Sequence, residues 1–223
     1  MIVLGIDTST AIASVAVVDE HATLALAHQH TRGAELLVMI DEVCVGAAIG
    51  PHDLDAVAIG AGPGSFTGLR IGMATAKGIA FAVSSARTGG PHGSMTRGKC
   101  PLWAVSSLAA LAHGELADDP TGTVVAVLDA RRGELFAGAF TKDGRVGPER
   151  VLKPDELEAF AAGARCIGDI FDPPRTPSAV DVAKLALAGS RADVLVAGAP
   201  AYLRAADAEI RYPDGVPGAL RKR

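Results

Sequence analysis

Two aspartates that close apolar runs have the type and setting best suited to phosphate chemistry in this 223-residue chain. Asp7 ends IVLGID and is followed by Thr8, Ser9 and Thr10, while Asp129 ends VVAVLD and is followed by Ala130, Arg131 and Arg132. A carboxylate at a strand end, with hydroxyls and backbone amides just beyond it, can hold a hydrated magnesium ion and a phosphate. A second such aspartate can serve from the far side of a cleft. Asp7, Thr8, Ser9, Thr10 and Asp129 are therefore the candidate site for ATP or ADP with magnesium. Against this stands the lack of glycine: a turn that grips phosphate usually needs it for close backbone approach, and Thr8 and Ser9 stand there instead. The arginines after Asp129 are bulky.

The second candidate is GAGPGSFTGLRIGMATAKGIA, residues 60 to 80. A P-loop reads G-x-x-x-x-G-K-[ST], and a dinucleotide turn reads G-x-G-x-x-G. Here Gly62 is followed five residues later by Thr67, the second residue after Gly68 is Arg70, and Thr67 stands where the third glycine of a dinucleotide turn belongs. Both phosphate motifs fail. Packing explains the stretch better: Gly68, Gly72, Ala76 and Ala80 recur every four residues and share one helix face, where missing side chains let another helix come close. Pro63-Gly64 makes a tight turn, Ser65 or Thr67 caps the helix, and Phe66 and Leu69 are candidate anchors beside the seam. On spacing alone the seam receives either a partner or the chain's own core. As a partner seam, it predicts that Gly72→Leu leaves the monomer folded and blocks association.

Other chemistry is thin. The six histidines include no H-x-x-x-H pair, and the three cysteines show no C-x-x-C spacing, so no metal site or disulfide framework is expected. No G-x-S-x-G elbow occurs, and Ser106-Ser107 reads as a helix cap. A net charge of -4 argues against a surface that itself holds nucleic acid by neutralising phosphates. MIVLGIDTST has no basic start or long apolar run, so no signal peptide is expected, and no spanning segment either; the cytoplasm is the default compartment.

The elements that must position these residues follow from periodicity. Strands are expected at 2–7, 12–19 and 22–29, then a helix over 34–48 with Leu36, Leu37, Ile40, Val43 and Ala47 at helical spacing. A strand at 56–60 leads through the glycine-rich turn into a helix over 67–83. Further on come a strand at 102–105, a helix at 106–116, a hairpin of 123–129 with 134–141, another strand after Lys142-Asp143-Gly144, a short helix after Lys153-Pro154-Asp155, a strand at 165–169 and a helix at 178–189. The segment from Ser84 to Lys99 is rich in glycine and basic residues and reads as a solvated loop. Laying VVAVLDARRGELFAGAFTKDG over IVLGIDTSTAIASVAVVDEHA puts Val124 on Ile2 and Asp129 on Asp7, a constant offset of 122. The chain reads as duplicated: an α/β protein with two lobes, each a mixed sheet flanked by helices. The division expected is 1–105 for the first lobe with its docking helices, 106–205 for a reduced second lobe, and 206–223 for a tail returning to the first.

IDTST, GAGPGSFTGLRIGMATAKGIA, WAVSSLAALA, LDARRGEL and the late P-x-Y-L-R together resemble the TsaB (YeaZ) family over residues 2 to about 211. The resemblance implies the actin-like ATPase (ASKHA) fold and a role as non-catalytic scaffold for the threonylcarbamoyltransferase TsaD. That enzyme forms threonylcarbamoyladenosine beside the anticodon of tRNAs reading codons that begin with A. TsaD, the ATPase TsaE and a second copy of the chain are the implied partners, with tRNA reached through the complex, no membrane and no required cofactor. Any ATP or ADP with magnesium would sit at the lobe or complex interface. The implied docking residues are Pro63, Gly64, Ser65, Phe66, Thr67, Gly68, Leu69, Arg70, Gly72 and Ala76. Two departures from the family pattern are Ala34-Glu35 after Arg32-Gly33, where many relatives have histidine and serine, and the length of the 84–99 segment. The competing reading is an independent actin-like ATPase or small-molecule kinase built on Asp7 and Asp129. A historical glycoprotease label of the family finds no protease site in this chain.

Overall fold

The computed structural model describes residues 1–30, 35–88, 98–193, 200, 201 and 203. The first three strands, β1 (Val3–Asp7), β2 (Ile12–Val18) and β3 (Thr23–His30), form an antiparallel meander. After α1 (Leu36–Gly46), β4 (Ala56–Gly60) pairs parallel to β1 on its free side. Then α2 (Phe66–Thr88) leads to β5 (Leu102–Val105), parallel to β4. The resulting sheet is buried on both faces at its centre, which is why β1 and β4 are buried throughout. On one face Leu4, Ile6, Val15 and Val17 meet Leu36, Met39 and Val43 of α1 and Met73, Ala76 and Ala80 of α2.

The second lobe repeats this order in smaller form. Helix α3 (Ser107–Asp118) starts at Ser106, whose hydroxyl accepts from the Ala109 amide at 3.1 Å. Strands β6 (Val124–Arg131), β7 (Glu134–Thr141) and β8 (Gly144–Leu152) form the meander, and after α4 (Leu157–Ala161), β9 (Arg165–Gly168) pairs parallel to β6. Sequence and topology agree on the duplication. The offset of 122 carries β2 into β7 and β3 into β8, and the strand orders β4-β1-β2-β3 and β9-β6-β7-β8 match in direction.

The last described elements cross back. Helix α5 (Ala179–Leu187) lies against β1, β2 and β4, where Ala179, Val182, Ala183 and Ala186 cover Val3, Ala16, Val18, Ala56 and Ala58. Gly5 makes this seating close: a Cβ there would lie 2.2 Å from the Ala179 carbonyl oxygen. β10 (Ala192–Asp193) pairs with β5 and completes a six-stranded sheet. A division that places 106–205 in the second lobe therefore follows the duplication and not the packing, because α5 and β10 belong to the first sheet. Conversely α3, which follows β5, packs on β6, β7 and β9. The two crossing helices touch, with His113 Nδ1 2.8 Å from Asp181 Oδ1. Of the segment 84–99 expected as a solvated loop, residues 84–88 instead continue α2, and 89–97, like the tail expected at 206–223, lie outside the described residues.

Candidate functional site

Asp7 is fully buried, and its carboxylate is already satisfied by the chain. Oδ1 accepts from the Ser9 amide at 2.8 Å and the Ser9 hydroxyl at 2.6 Å, and Oδ2 accepts from the Ser107 hydroxyl at 2.7 Å. Ser107 in turn accepts from the Gly62 amide at 3.2 Å, and its own amide donates to the Gly62 carbonyl at 2.8 Å. Burial pushes the Asp7 carboxyl above its ordinary value of 3.8, with the Ser9 hydroxyl and amide and the Ser107 hydroxyl opposing. Because α3 packs on the second lobe, this chain of bonds ties β1 to the start of the other lobe's helix.

The rest of the turn is closed by the glycine-rich segment. The Thr8 hydroxyl donates to the Gly68 carbonyl at 2.8 Å, and the Ser65 amide donates to the Ser9 carbonyl at 2.7 Å. Thr10 closes the β1–β2 turn through the Ile12 carbonyl and amide. A Cβ at Gly60 would stand 1.8 Å from Asp7 Oδ2, at Gly64 2.4 Å from the Ser9 carbonyl oxygen, at Gly68 2.1 Å from the Thr8 carbonyl oxygen and at Gly72 2.2 Å from Thr8 Oγ1. These glycines let residues 60–72 lie directly on the turn, whose carboxylate and hydroxyls are bonded within the chain. The residues present do not fit a magnesium-nucleotide at Asp7, Thr8, Ser9 and Thr10.

Asp129 occupies the equivalent place in the second lobe in a different setting. Its side chain is 35% exposed, and it accepts from the Arg131 amide at 2.7 Å and from Arg131 Nη1 at 3.1 Å. Its own amide donates to Asp169 Oδ1 at 2.9 Å, and burial raises the Asp169 carboxyl above the usual range. Arg131 and Arg132 both take left-handed backbone conformations (φ 64° and 58°), so the chain turns tightly here without glycine until Gly133. Two surface clefts, about 830 and 640 Å³, lie elsewhere, and neither is lined by Asp7 or Asp129.

The stripe Gly68, Gly72, Ala76 and Ala80 turns inward. Gly72 is buried, Ala76 and Ala80 are wholly inaccessible, and Leu69, expected as an exposed anchor, is 2% exposed. The partner-seam reading of these residues is corrected, and with it the expectation that Gly72→Leu spares the monomer: the added side chain would start inside contact distance of Thr8. Pro63 is buried as well. Ser65 does cap the helix, accepting from the Gly68 amide at 3.3 Å. Thr67 and Arg70 are exposed, and the Arg70 guanidinium lies 3.9 Å over the half-buried Phe66 ring.

A different set of residues faces outward on the same helices. On α2 Ala74, Gly78 and Ala82 are exposed at four-residue spacing, nothing lies within 4 Å of a Cβ built at Gly78, and Phe81 beside them is 68% exposed. On α1 Leu37, Val38 and Val45 are 60%, 57% and 70% exposed, although Leu37 reads from spacing as a core position. Both helices lie on one face of the six-stranded sheet, α1 over β2 and β3 and α2 over β1, β4 and β5. The outward stripe was present in the sequence as a second run of small residues.

Comparisons with known proteins bear on this arrangement. The chain is 34% identical to the tRNA threonylcarbamoyladenosine biosynthesis protein TsaB of Haemophilus influenzae over 60% of this chain and 51% of that protein. It is 32% identical to an uncharacterised Mycobacterium tuberculosis protein over 93% of both chains. A crystal structure of a Pseudomonas aeruginosa protein described by its similarity to the peptidase YeaZ superposes with a TM-score of 0.73 at 28% identity, covering 91% of this chain and 99% of that one. The chain is similar to proteins of the TsaB (YeaZ) family over 60 to 71% of its length. Its fold is accordingly the two-lobed actin-like ATPase (ASKHA) fold, and the two Asp-bearing strands are that fold's duplicated strand ends. The chain spans about half the length of the Haemophilus TsaB it matches. The family model of TsaD, tRNA N6-adenosine threonylcarbamoyltransferase, matches residues 25–89, the span that holds β3, α1, β4 and α2.

Proposed function

We propose that this chain serves tRNA threonylcarbamoyladenosine formation as a non-catalytic partner of TsaD, which it binds through the outward faces of α1 and α2. One observation carries the reading. The turn at Asp7 is spent on internal bonds, whereas two helices on one face of the six-stranded sheet expose Leu37, Val38 and Val45 on α1 and Phe81, with the small residues Ala74 and Gly78, on α2. Exposed apolar side chains clustered on one surface are what a helical partner covers, and small residues between them let its backbone approach. Thr67, Phe66 and Arg70 at the start of α2 form the polar end of the same surface.

The similarity to a TsaD family model over 25–89 supports a pseudo-symmetric pairing, in which like helices of the two proteins meet. In this assembly tRNA is reached through the complex, TsaE joins as a further subunit, and the setting is cytoplasmic; no helix among the described residues is long and apolar enough to cross a membrane. Any ATP or ADP with magnesium is held by the partners at their interfaces and not by the turn at residues 7–10.

The test is size exclusion with light scattering of the chain mixed with TsaD. Wild type is expected to co-elute as a heterodimer, and Phe81→Glu, which adds charge to an exposed position, to remain folded and elute alone. Co-elution of Phe81→Glu with TsaD would overturn the proposed surface. ATP binding by the isolated chain that Asp7→Ala abolishes without unfolding would favour the independent ATPase instead.

A further inference from the structure

The larger cleft, of about 830 Å³, opens between the lobes. Ala104 and Val105 of β5 and Leu185 of α5 line it from the first lobe, and Ala109 and Ala112 of α3 and Phe140 of β7 from the second, so its walls are largely apolar. Among the charged side chains in that lining, Glu149 of β8 is only 7% exposed. The strand is built to turn it inward. Pairing jumps from Ala137↔Arg150 to Ala139↔Val146, so that residues 147–149 bulge opposite Gly138, and a bulge of this kind re-aims a side chain. Gly147 takes the left-handed φ of 77° that the bulge requires, and Gly138 leaves room for the Glu149 stem, since a Cβ there would lie 3.1 Å from Glu149 Cγ. By the offset of 122, Glu149 falls on Ala27 of β3, which packs on the first lobe's core, so the carboxylate belongs to the second lobe alone. It is half satisfied there. Oε1 accepts from the Ser106 hydroxyl, and Arg145 Nη1 stands 3.9 Å from Oε1, beyond hydrogen-bond reach. Oε2 accepts from no described residue. Burial pushes the Glu149 carboxyl above its ordinary value of 4.5, with Ser106 and Arg145 opposing. A buried acceptor left open is costly, and a charged donor placed on Oε2 would relieve that cost.

We propose that this cleft binds a free α-amino acid with an apolar side chain, whose ammonium group donates to Glu149 Oε2, whose carboxylate pairs with Arg145 and whose side chain lies along the apolar walls. The two neighbouring charges select this class. Glu149 offers an open acceptor, and the half-exposed Arg145 guanidinium offers donors beside it. An α-amino acid carries its ammonium and carboxylate on one carbon, so both ends meet their partners together in charge-assisted bonds. A simple amine would meet Arg145 and Lys142 at the rim, and a simple carboxylate would meet Glu149, so either half alone faces a like charge. Arg191, which also lines the cleft, is already engaged: its guanidinium lies 3.9 Å over the Trp103 ring and donates to the Ala186 carbonyl. The lining comes from both lobes and includes no residue of α1 or α2, so this site is independent of the TsaD docking proposed above.

Isothermal titration of the full chain with L-leucine and with L-phenylalanine tests it. Wild type is expected to bind at least one of them. Isocaproate and isoamylamine, which keep the leucine side chain with one charged group each, should bind about tenfold more weakly or worse. Glu149→Gln keeps an acceptor for the Ser106 hydroxyl and removes the charge, and Arg145→Ala changes a half-exposed residue; each should lose about tenfold or more in amino-acid affinity. Phe81→Glu, the variant that separates the chain from TsaD in the reading above, should bind the amino acid as wild type does. A wild type that binds neither amino acid, equal binding of isocaproate, or binding that both Glu149→Gln and Arg145→Ala leave unchanged would each overturn the proposal, whatever the outcome with TsaD. Amide chemical shifts of wild type supply a readout free of substitutions. Ala109, Ala112 and Phe140 should shift on titration with the amino acid that binds, and shifts confined to residues outside the cleft would overturn it.

Discussion

Asp7 ends β1 and Asp129 holds the equivalent place near the end of β6 in the other lobe, yet one is sealed and the other open. Around Asp7 the carboxylate accepts three hydrogen bonds, two from Ser9 and one from Ser107, and four glycines bring residues 60–72 onto the turn. Around Asp129 the carboxylate is partly exposed and bonded within its own turn to Arg131, and among the described residues nothing corresponding to the glycine-rich segment covers it. Duplication preserved the strand and its aspartate, while the segment that follows the fourth strand decided the environment. In the first lobe that segment is GAGPGSFTG, which lies on the turn; in the second it is the stretch after Gly168, where the Arg175 amide returns to the Gly168 carbonyl. A carboxylate that could bind an ion has become a joint between lobes in one copy and a surface turn in the other.

The largest effect that would break this comparison lies at Gly72. Replacing it by leucine forces a side chain into Thr8, and overpacking of this kind is expected to cost about 3 kcal/mol or to prevent folding. Urea unfolding of the purified variant checks it, and wild-type stability would show that the turn and α2 are loosely associated. Next comes Asp7→Ala, which leaves the Ser9 amide and the Ser107 hydroxyl without their acceptor. A loss of about 2 to 3 kcal/mol is expected, against Ser107→Ala as a smaller companion change whose effect should not add in full because the two groups share one bond.

The pH response sharpens the same contrast. Because burial raises the folded-state value of Asp7, its contribution to stability is fully present below the unfolded value of 3.8 and is lost as pH rises through the folded value. The stability gap between wild type and Asp7→Asn should therefore narrow as pH rises from about 4 toward about 7. Urea midpoints at several pH values measure it, and a gap that widens would mean that Asp7 is held ionised by its hydrogen bonds. The smallest effect is expected at Asp129→Ala, at most about 1 kcal/mol, since its partners are local and solvent-accessible. A loss as large as that of Asp7→Ala would erase the distinction between the lobes.

Much of the fold was legible in the residues. β-branched runs and helical spacing place nearly every described strand and helix within a few residues, and the offset of 122 exposes the duplication before any coordinates. Two things were not legible. The exchange of α3 and α5 between lobes leaves no local trace, because an apolar stripe such as Ala179, Val182, Ala183 and Ala186 records that a face is covered and not by which sheet. The bond from Ser107 to Asp7 joins residues a hundred positions apart, so Ser107 reads from sequence as a cap and nothing more.

Helix α2 shows where the division falls. The sequence by itself determined a helix over about 67–83 with small residues on its surface, because spacing and propensity are local properties of the chain, and the structure carries it on to Thr88. It carries two such stripes, Gly68-Gly72-Ala76-Ala80 and Ala74-Gly78-Ala82, and both satisfy the same rule for close approach. Only the tertiary structure decided between them: the first stripe rests against Thr8 and the sheet, where a bulkier residue has no room, and the second is thereby turned to the outside. Periodicity fixes which residues share a face, whereas the direction that face takes depends on contacts with a turn some sixty residues earlier in the chain.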